Sequence, residues 1–282
     1  MLPVFLIVGI GFLFGKKKKI DLTAINEFVI WVATPCLIIS SIAKSPVEPN
    51  HIAEVFLCAL AVVAGCLGVG YIVIRALGLP QRVYLPPVAF ANTGNMGLPL
   101  VLFAFGDTGL NTGILYMVAI TVLHYTVGIA ILSYKESPFE VLKLPLIYAA
   151  GLGIVISLTG WQMPTPAFRA IDILGEASIP AMIFALGYKL SEVTMKDVGK
   201  SFFFGGIRIG VGFLIGVLSV RALGLGGTSS GVVMLDAAMP PAVFNFVLAE
   251  KYKQDSKVVA SIIMAGTLLS IVTTPLILIF LL

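Results

Sequence analysis

The chain has 282 residues, 59% of them hydrophobic and only 11% charged, with a net charge of +4 and a mean hydropathy of +1.06. A soluble domain of this length would carry about 25% charged residues, so a water-soluble globular protein is excluded. Lipid offers the backbone no hydrogen-bond partners, and the apolar runs are continuous rather than alternating, which leaves helices and excludes a barrel.

Ten spans are predicted in chain order: 2–15, 22–43, 52–77, 83–106, 110–134, 142–161, 168–190, 198–222, 229–250 and 257–282. Each is near the roughly 20 residues that a helix needs to cross the hydrocarbon, the first being short. The first is not expected to be a cleavable signal, because its positive charge follows the apolar run. Connections are short, and Lys135–Lys143 joins the halves. Cys36, Cys58 and Cys66 all lie in apolar runs, without metal-ligand or disulfide spacing, and read as small packing residues. No metal site and no resident cofactor are expected.

Loops after the odd-numbered spans hold Lys16–Lys19, Arg75, Arg82, Lys135, Lys143, Lys189, Lys196, Lys200, Lys251, Lys253 and Lys257, which is 14 of the 18 basic residues. The positive-inside rule makes that side cytoplasmic and puts both termini outside. The four lysines after span 1 suit anionic lipid.

The sequence also repeats itself. Pro35 is followed nine residues later by Lys44, and Pro180 nine later by Lys189, an offset of 145 for both. RALGL recurs at Arg75–Leu79 and Arg221–Leu225, an offset of 146. The chain therefore divides into 1–137 and 138–282. Each half has five spans, an odd number, so the second copy is inverted relative to the first, the usual blueprint of a secondary transporter. Pro35 and Pro180 should bend spans 2 and 7, with Thr34 and Ser178 placed to satisfy freed backbone groups. Lys44 and Lys189 should snorkel to headgroups.

Span 4 contains Ala91-Asn-Thr-Gly-Asn-Met-Gly-Leu-Pro99, and span 9 contains Met239-Pro-Pro-Ala-Val-Phe-Asn245. Glycines, asparagines and prolines at mid-membrane are poor helix material. Breaks at matching depths of two copies point to a substrate site at the repeat interface. Half-helices starting near Met96 and Pro241 would aim positive N-termini at an anion, and the opposed C-termini could hold a cation. Asn92, Asn95, Met96, Pro99, Pro240, Pro241 and Asn245 are the candidate substrate residues.

NTGNMGLPL and PPAVFNFVLAEKY, with ten spans and a five-plus-five inverted repeat, resemble the auxin efflux carrier family over essentially the whole chain. The resemblance implies that helices 4 and 9 are broken and cross near the bilayer centre. It implies a scaffold of helices 1, 2, 6 and 7, which often forms a homodimer. A transport domain of helices 3–5 and 8–10 would move like an elevator. Bacterial members of the family are organic-acid permeases, and plant members export auxin. The long cytoplasmic loop of the plant carriers is absent here.

Two charged residues, Arg208 and Asp236, fall near the middle of spans, where they are costly. Asp236 is read as a proton or sodium coupling site and Arg208 as a carboxylate anchor, against the alternative of a structural pair. His124 is a lesser proton-relay candidate, weighed against a packed, hydrogen-bonded residue. Asp107, Glu27, Glu176 and Glu250 read as interfacial.

The reading is an inner-membrane carrier of small organic anions, not an enzyme, with no nucleic-acid partner. No phosphate-cradling G-x-x-x-x-G-K-[ST] loop is present, which fits gradient-driven transport. A cation–proton antiporter or sodium-coupled bile-acid-like symporter is the alternative, and a channel or non-transporting sensor stands behind it.

Overall fold

The computed structural model describes residues 2–44, 48–133 and 138–281; Lys135, counted above in the loop charge, lies outside them. Among the described residues the chain is helical apart from one isolated antiparallel bridge. Polarity is inverted relative to a soluble protein. Trp31, Ile72, Leu152 and Ile279 point outward at 49–78% exposure, while Arg208 and Asp236 are fully buried. An outer surface of this kind is stable against lipid.

Helices α1 (Leu2–Lys17), α2 (Thr23–Phe28), α3 (Thr34–Lys44) and α4 (Pro49–Ala76) open the chain. A π-helical turn, Val29–Ala33, joins α2 to α3. Pro35 explains it: its ring lacks an N–H and would press on the carbonyl four residues back, and a widened turn relieves both faults. Next come α5 (Gln81–Ala89), α6 (Leu98–Leu123) and α7 (Ile129–Leu132), with π turns at Thr93–Gly97 and His124–Gly128.

Thr93–Leu132 is 40 residues long, about 60 Å if straight, twice the hydrocarbon thickness. It folds back at Gly106, whose φ of 64° and ψ of −163° only glycine adopts readily. A Cβ on Gly113 would touch Val101 and Leu98, so the legs on either side of Gly106 lie against each other.

The second half runs α8 (Pro145–Thr159), α9 (Thr165–Glu176), α10 (Ser178–Glu192), α11 (Val198–Leu223), α12 (Gly227–Ala237), α13 (Phe244–Lys251) and α14 (Ser256–Leu281). The expected bend at Pro180 is a helix break at Ala177, between α9 and α10. The carbonyl that Pro180 would strike belongs to Glu176, the last residue of α9. The sequence expectation that Thr34 and Ser178 satisfy freed backbone groups is not met. Their hydroxyls bond each other at 3.0 Å, tying the two proline sites together.

Among the described residues, six helices are long and apolar enough to cross a membrane, and α8 is a shorter apolar helix. The protein is a multi-pass helical membrane protein. Packing groups α1 with α10, and α3 with α8 and α9. It separately groups α4 with α5, α6 and α11, and α11 with α12 and α14. Lys44 does more than snorkel: it pairs with Asp172 at 2.7 Å. Lys189 pairs with Glu192 at 3.1 Å.

Candidate functional site

The two breaks meet. Helix α5 carries Pro86 and Pro87 in its interior and ends at Ala89, after which Phe90 is extended. Helix α12 ends at Ala237, and the chain resumes as helix only at Phe244. Ala91 and Pro241 face each other as an antiparallel bridge. Prolines have no N–H, so the donors come from their neighbours: Asn92 N–H to Pro240 O at 2.8 Å, and Ala242 N–H to Phe90 O at 2.9 Å. Two unwound segments thus satisfy each other in the interior, where no water would.

Pro99 does not make the first break. It lies inside the helix that the π turn Thr93–Gly97 has already begun, and the widened turn just before it accommodates its missing N–H. The first half-helix therefore restarts at Thr93, earlier than the expected Met96. The second restarts at Phe244, later than the expected Pro241.

A cavity of about 230 Å³ lies against the crossing, lined by Asn92, Thr93, Gly94 and Asn95 from the first break. Thr121, His124 and Tyr125 face them across it, with Ala242 and Phe244 contributing from the second break. Leu144 and Leu146, beside the basic Lys143, also line it. A second cavity, about 430 Å³, shares Val243 with the first and is lined by Lys189, Lys196 and Lys257. The two cavities thus adjoin at Val243.

The candidate residues separate by geometry. Asn92 is buried, and its Nδ2 has no hydrogen-bond partner. Asn95 is half-buried on the cavity wall. Met96 turns away, its sulfur accepting the Ser270 hydroxyl of α14 at 3.7 Å. Pro240 and Pro241 shape the bridge rather than the cavity.

Asn245 is consumed internally. Its Nδ2 donates to Ala242 O at 3.0 Å and Phe90 O at 3.4 Å, and its Oδ1 lies 2.9 Å from His124 Nε2. With both amide protons given to carbonyls, Oδ1 must accept, so Nε2 carries the imidazole proton. His124 is also stacked on Phe90, ring centroids 4.1 Å apart, with Phe244 edge-on.

Arg208 and Asp236 do not form the structural pair weighed from sequence. Both Asp236 oxygens lack a hydrogen-bond partner, and its carboxyl fills the space that Gly97 leaves by having no side chain. Nor is Arg208 open to a substrate carboxylate. It is fully buried and its guanidinium is spent on the carbonyls of Val88, Ala89, Ala237 and Met239. Sequence reasoning passed over Thr93, Thr121 and Tyr125; their spacing carried no signal, because the wall they share with Asn95 forms only when the chain folds back at Gly106.

Comparison with known proteins gives the family. The family described as membrane transport protein matches residues 1–143 and 134–278. An "Uncharacterized transporter" of Methanothermobacter thermautotrophicus is 28% identical over 98% of this chain and 95% of its own length. A "Putative malonate transporter" of Rhizobium meliloti is 27% identical over 97% of this chain and 92% of its own. "Auxin efflux carrier component 1" of Arabidopsis thaliana is 26% identical over 48% of this chain and 23% of its own. The chain is a membrane transporter, not an enzyme, and belongs to the membrane transport protein family, that of the auxin efflux carriers.

Proposed function

We propose that the chain is a secondary carrier of small organic anions, carboxylates of the malonate or malate type or auxin-like acids, with the substrate held at the crossing. The observation that carries this reading is the pair of broken helices joined at Ala91 and Pro241 beside a cavity walled by Asn92 and Asn95. Two helix N-termini start there, each worth about half a positive charge, and together they balance one carboxylate. Asn92 Nδ2 and the Asn95 amide add neutral donors, which hold an anion without the tight grip of a fixed cation. Arg208 has no part in the anion contacts. Asp236, lying against the restart of the first broken helix, carries the coupling ion, a proton or sodium.

The architecture we infer is ten spans in two inverted five-helix repeats, 1–137 and 138–282. The repeat offsets support it, as does the fold-back at Gly106, which divides one 40-residue helix into two legs. Packing supports a scaffold of helices 1, 2, 6 and 7, taken as a homodimer interface, and a transport domain of helices 3–5 and 8–10 moving as an elevator. The positive-inside count supports a bacterial-type inner membrane with both termini outside.

The test is uptake of labelled malonate, malate and indole-3-acetate into proteoliposomes under imposed proton and sodium gradients. Saturable uptake of one of them, stimulated by one gradient and uncoupled from it in Asp236→Asn, is expected. Absence of uptake for all three by folded protein would overturn the organic-anion reading. A pH change on adding sodium without any anion would replace it with cation antiport.

A further inference from the structure

The opposed C-termini at the crossing are not open to a cation from solution, because Arg208 fills them. Helix α5 ends at Ala89 and helix α12 at Ala237, and the last carbonyls of each have no helical partner. Arg208 rises from the middle of α11 between them. Nη1 donates to Ala89 O at 2.9 Å and Val88 O at 3.3 Å, and Nη2 donates to Ala237 O at 2.6 Å. Nε donates to Met239 O at 3.3 Å, and Nη1 also reaches Cys66 Sγ at 3.0 Å on α4.

Four carbonyls from two broken helices thus converge on one guanidinium. Each helix end is worth about half a negative charge, so the two together match one fixed positive charge. The planar fork with five N–H groups can span two helix ends, which a point-charge ammonium cannot. Gly212, one turn further along α11, has no side chain where a Cβ would strike Ala237 O and the guanidinium, so the close approach is built in.

We infer that Arg208 is a tethered cation occupying the carbonyl site between the two helix ends, where it pins the breaks together in place of a mobile metal ion. The consequence for transport, which rests on the carrier reading above, is that a coupling ion has only the Asp236 side of the crossing to use. Arg208 is a positioning residue: it touches neither the cavity nor the substrate.

Packing and charge predict opposite orders for two substitutions. If Arg208 only fills space, Arg208→Met should be tolerated better than Arg208→Lys, since methionine suits an apolar interior. If it acts as the tethered cation, Arg208→Lys should keep part of the stability and Arg208→Met should lose more, about 10 °C in thermal midpoint. The measurement is the midpoint and folded yield of detergent-purified protein, in sodium, choline or methylguanidinium chloride at matched low concentration, with the same salt present from solubilisation onward. We expect wild type to respond equally to choline and methylguanidinium, and any sodium response of wild type to be lost in Asp236→Asn. We expect Arg208→Met to be raised by methylguanidinium above choline. Equal loss in the two variants, Met outranking Lys, no methylguanidinium effect on folded Arg208→Met, or a saturable sodium stabilisation of wild type that persists in Asp236→Asn would each overturn the inference. No uptake enters the readout, so failure of the carrier reading would leave this result standing.

Discussion

The two breaks share a backbone plan and differ in chemistry. The first is made of small and amide side chains, restarts through a π turn, and turns Asn92 and Asn95 to the cavity. The second is made of adjacent prolines, and its single amide, Asn245, is locked between two carbonyls and His124. On the proposed repeat and substrate site, one copy turns its amides to the cavity and the other spends its amide on internal bonds. On that reading, related backbone is a poor guide to which side chains bind.

That division can be broken deliberately. The largest effect is expected from Gly97→Ala, because the new methyl enters the space of the Asp236 carboxyl. Overpacking of this kind costs about 1–3 kcal/mol and should also abolish uptake. Asp236→Ala in the same chain should recover much of the lost stability, a coupling that a double-mutant cycle on thermal unfolding measures. Simple additivity would show that the two residues do not meet.

Asn245→Ala comes next. It leaves His124 Nε2 without an acceptor, at about 1–3 kcal/mol for a group left unsatisfied, while the Phe90 and Ala242 carbonyls keep their backbone donors. The protein that survives should bind substrate with nearly unchanged affinity. A selective loss of affinity with normal stability would return Asn245 to the ligand side of the comparison. Asn95→Ala should show the reverse pattern: an unchanged melting midpoint and a weakening of apparent substrate affinity of about tenfold, one hydrogen bond to a charged group. Concentration-dependent uptake, run beside thermal unfolding, separates the two.

The smallest effect belongs to neither break and calibrates both. Asp21, in the connection between α1 and α2, accepts the Thr23 hydroxyl at 2.6 Å and the Thr23 N–H at 2.9 Å. These bonds, the hydroxyl first, hold its carboxyl below the usual value for an aspartate. Its contribution is complete above the unfolded-state value and fades as pH falls through the lowered folded one. Asp21→Asn should lower the thermal midpoint slightly at neutral pH and remove its decline at the acid end, where the two proteins converge. An unchanged slope would show that the turn contributes no measurable stability.

The breaks could be read from sequence because glycine, proline and asparagine advertise themselves inside apolar runs. Asn92 and Asn95 stood out for the same reason. The roles of Arg208 and Asn245 could not be read, because their partners are backbone carbonyls, which every residue carries and no residue type marks. Neither a carboxylate anchor nor a partner for Asp236, the two readings weighed for Arg208, describes it, because helix ends supply partial charges that composition never records. The fold-back at Gly106 hid likewise in a run of ordinary apolar residues, one glycine among the 29 in the chain.

Gly106 has a mechanical meaning. A joint of one residue has no slack, so the leg bearing Asn95 and the leg bearing His124 cannot slide past each other or separate at that end. A flexible connector there would let either wall of the cavity yield to a ligand independently. With a single-residue hinge pin, whatever displaces one of these two walls drags the other.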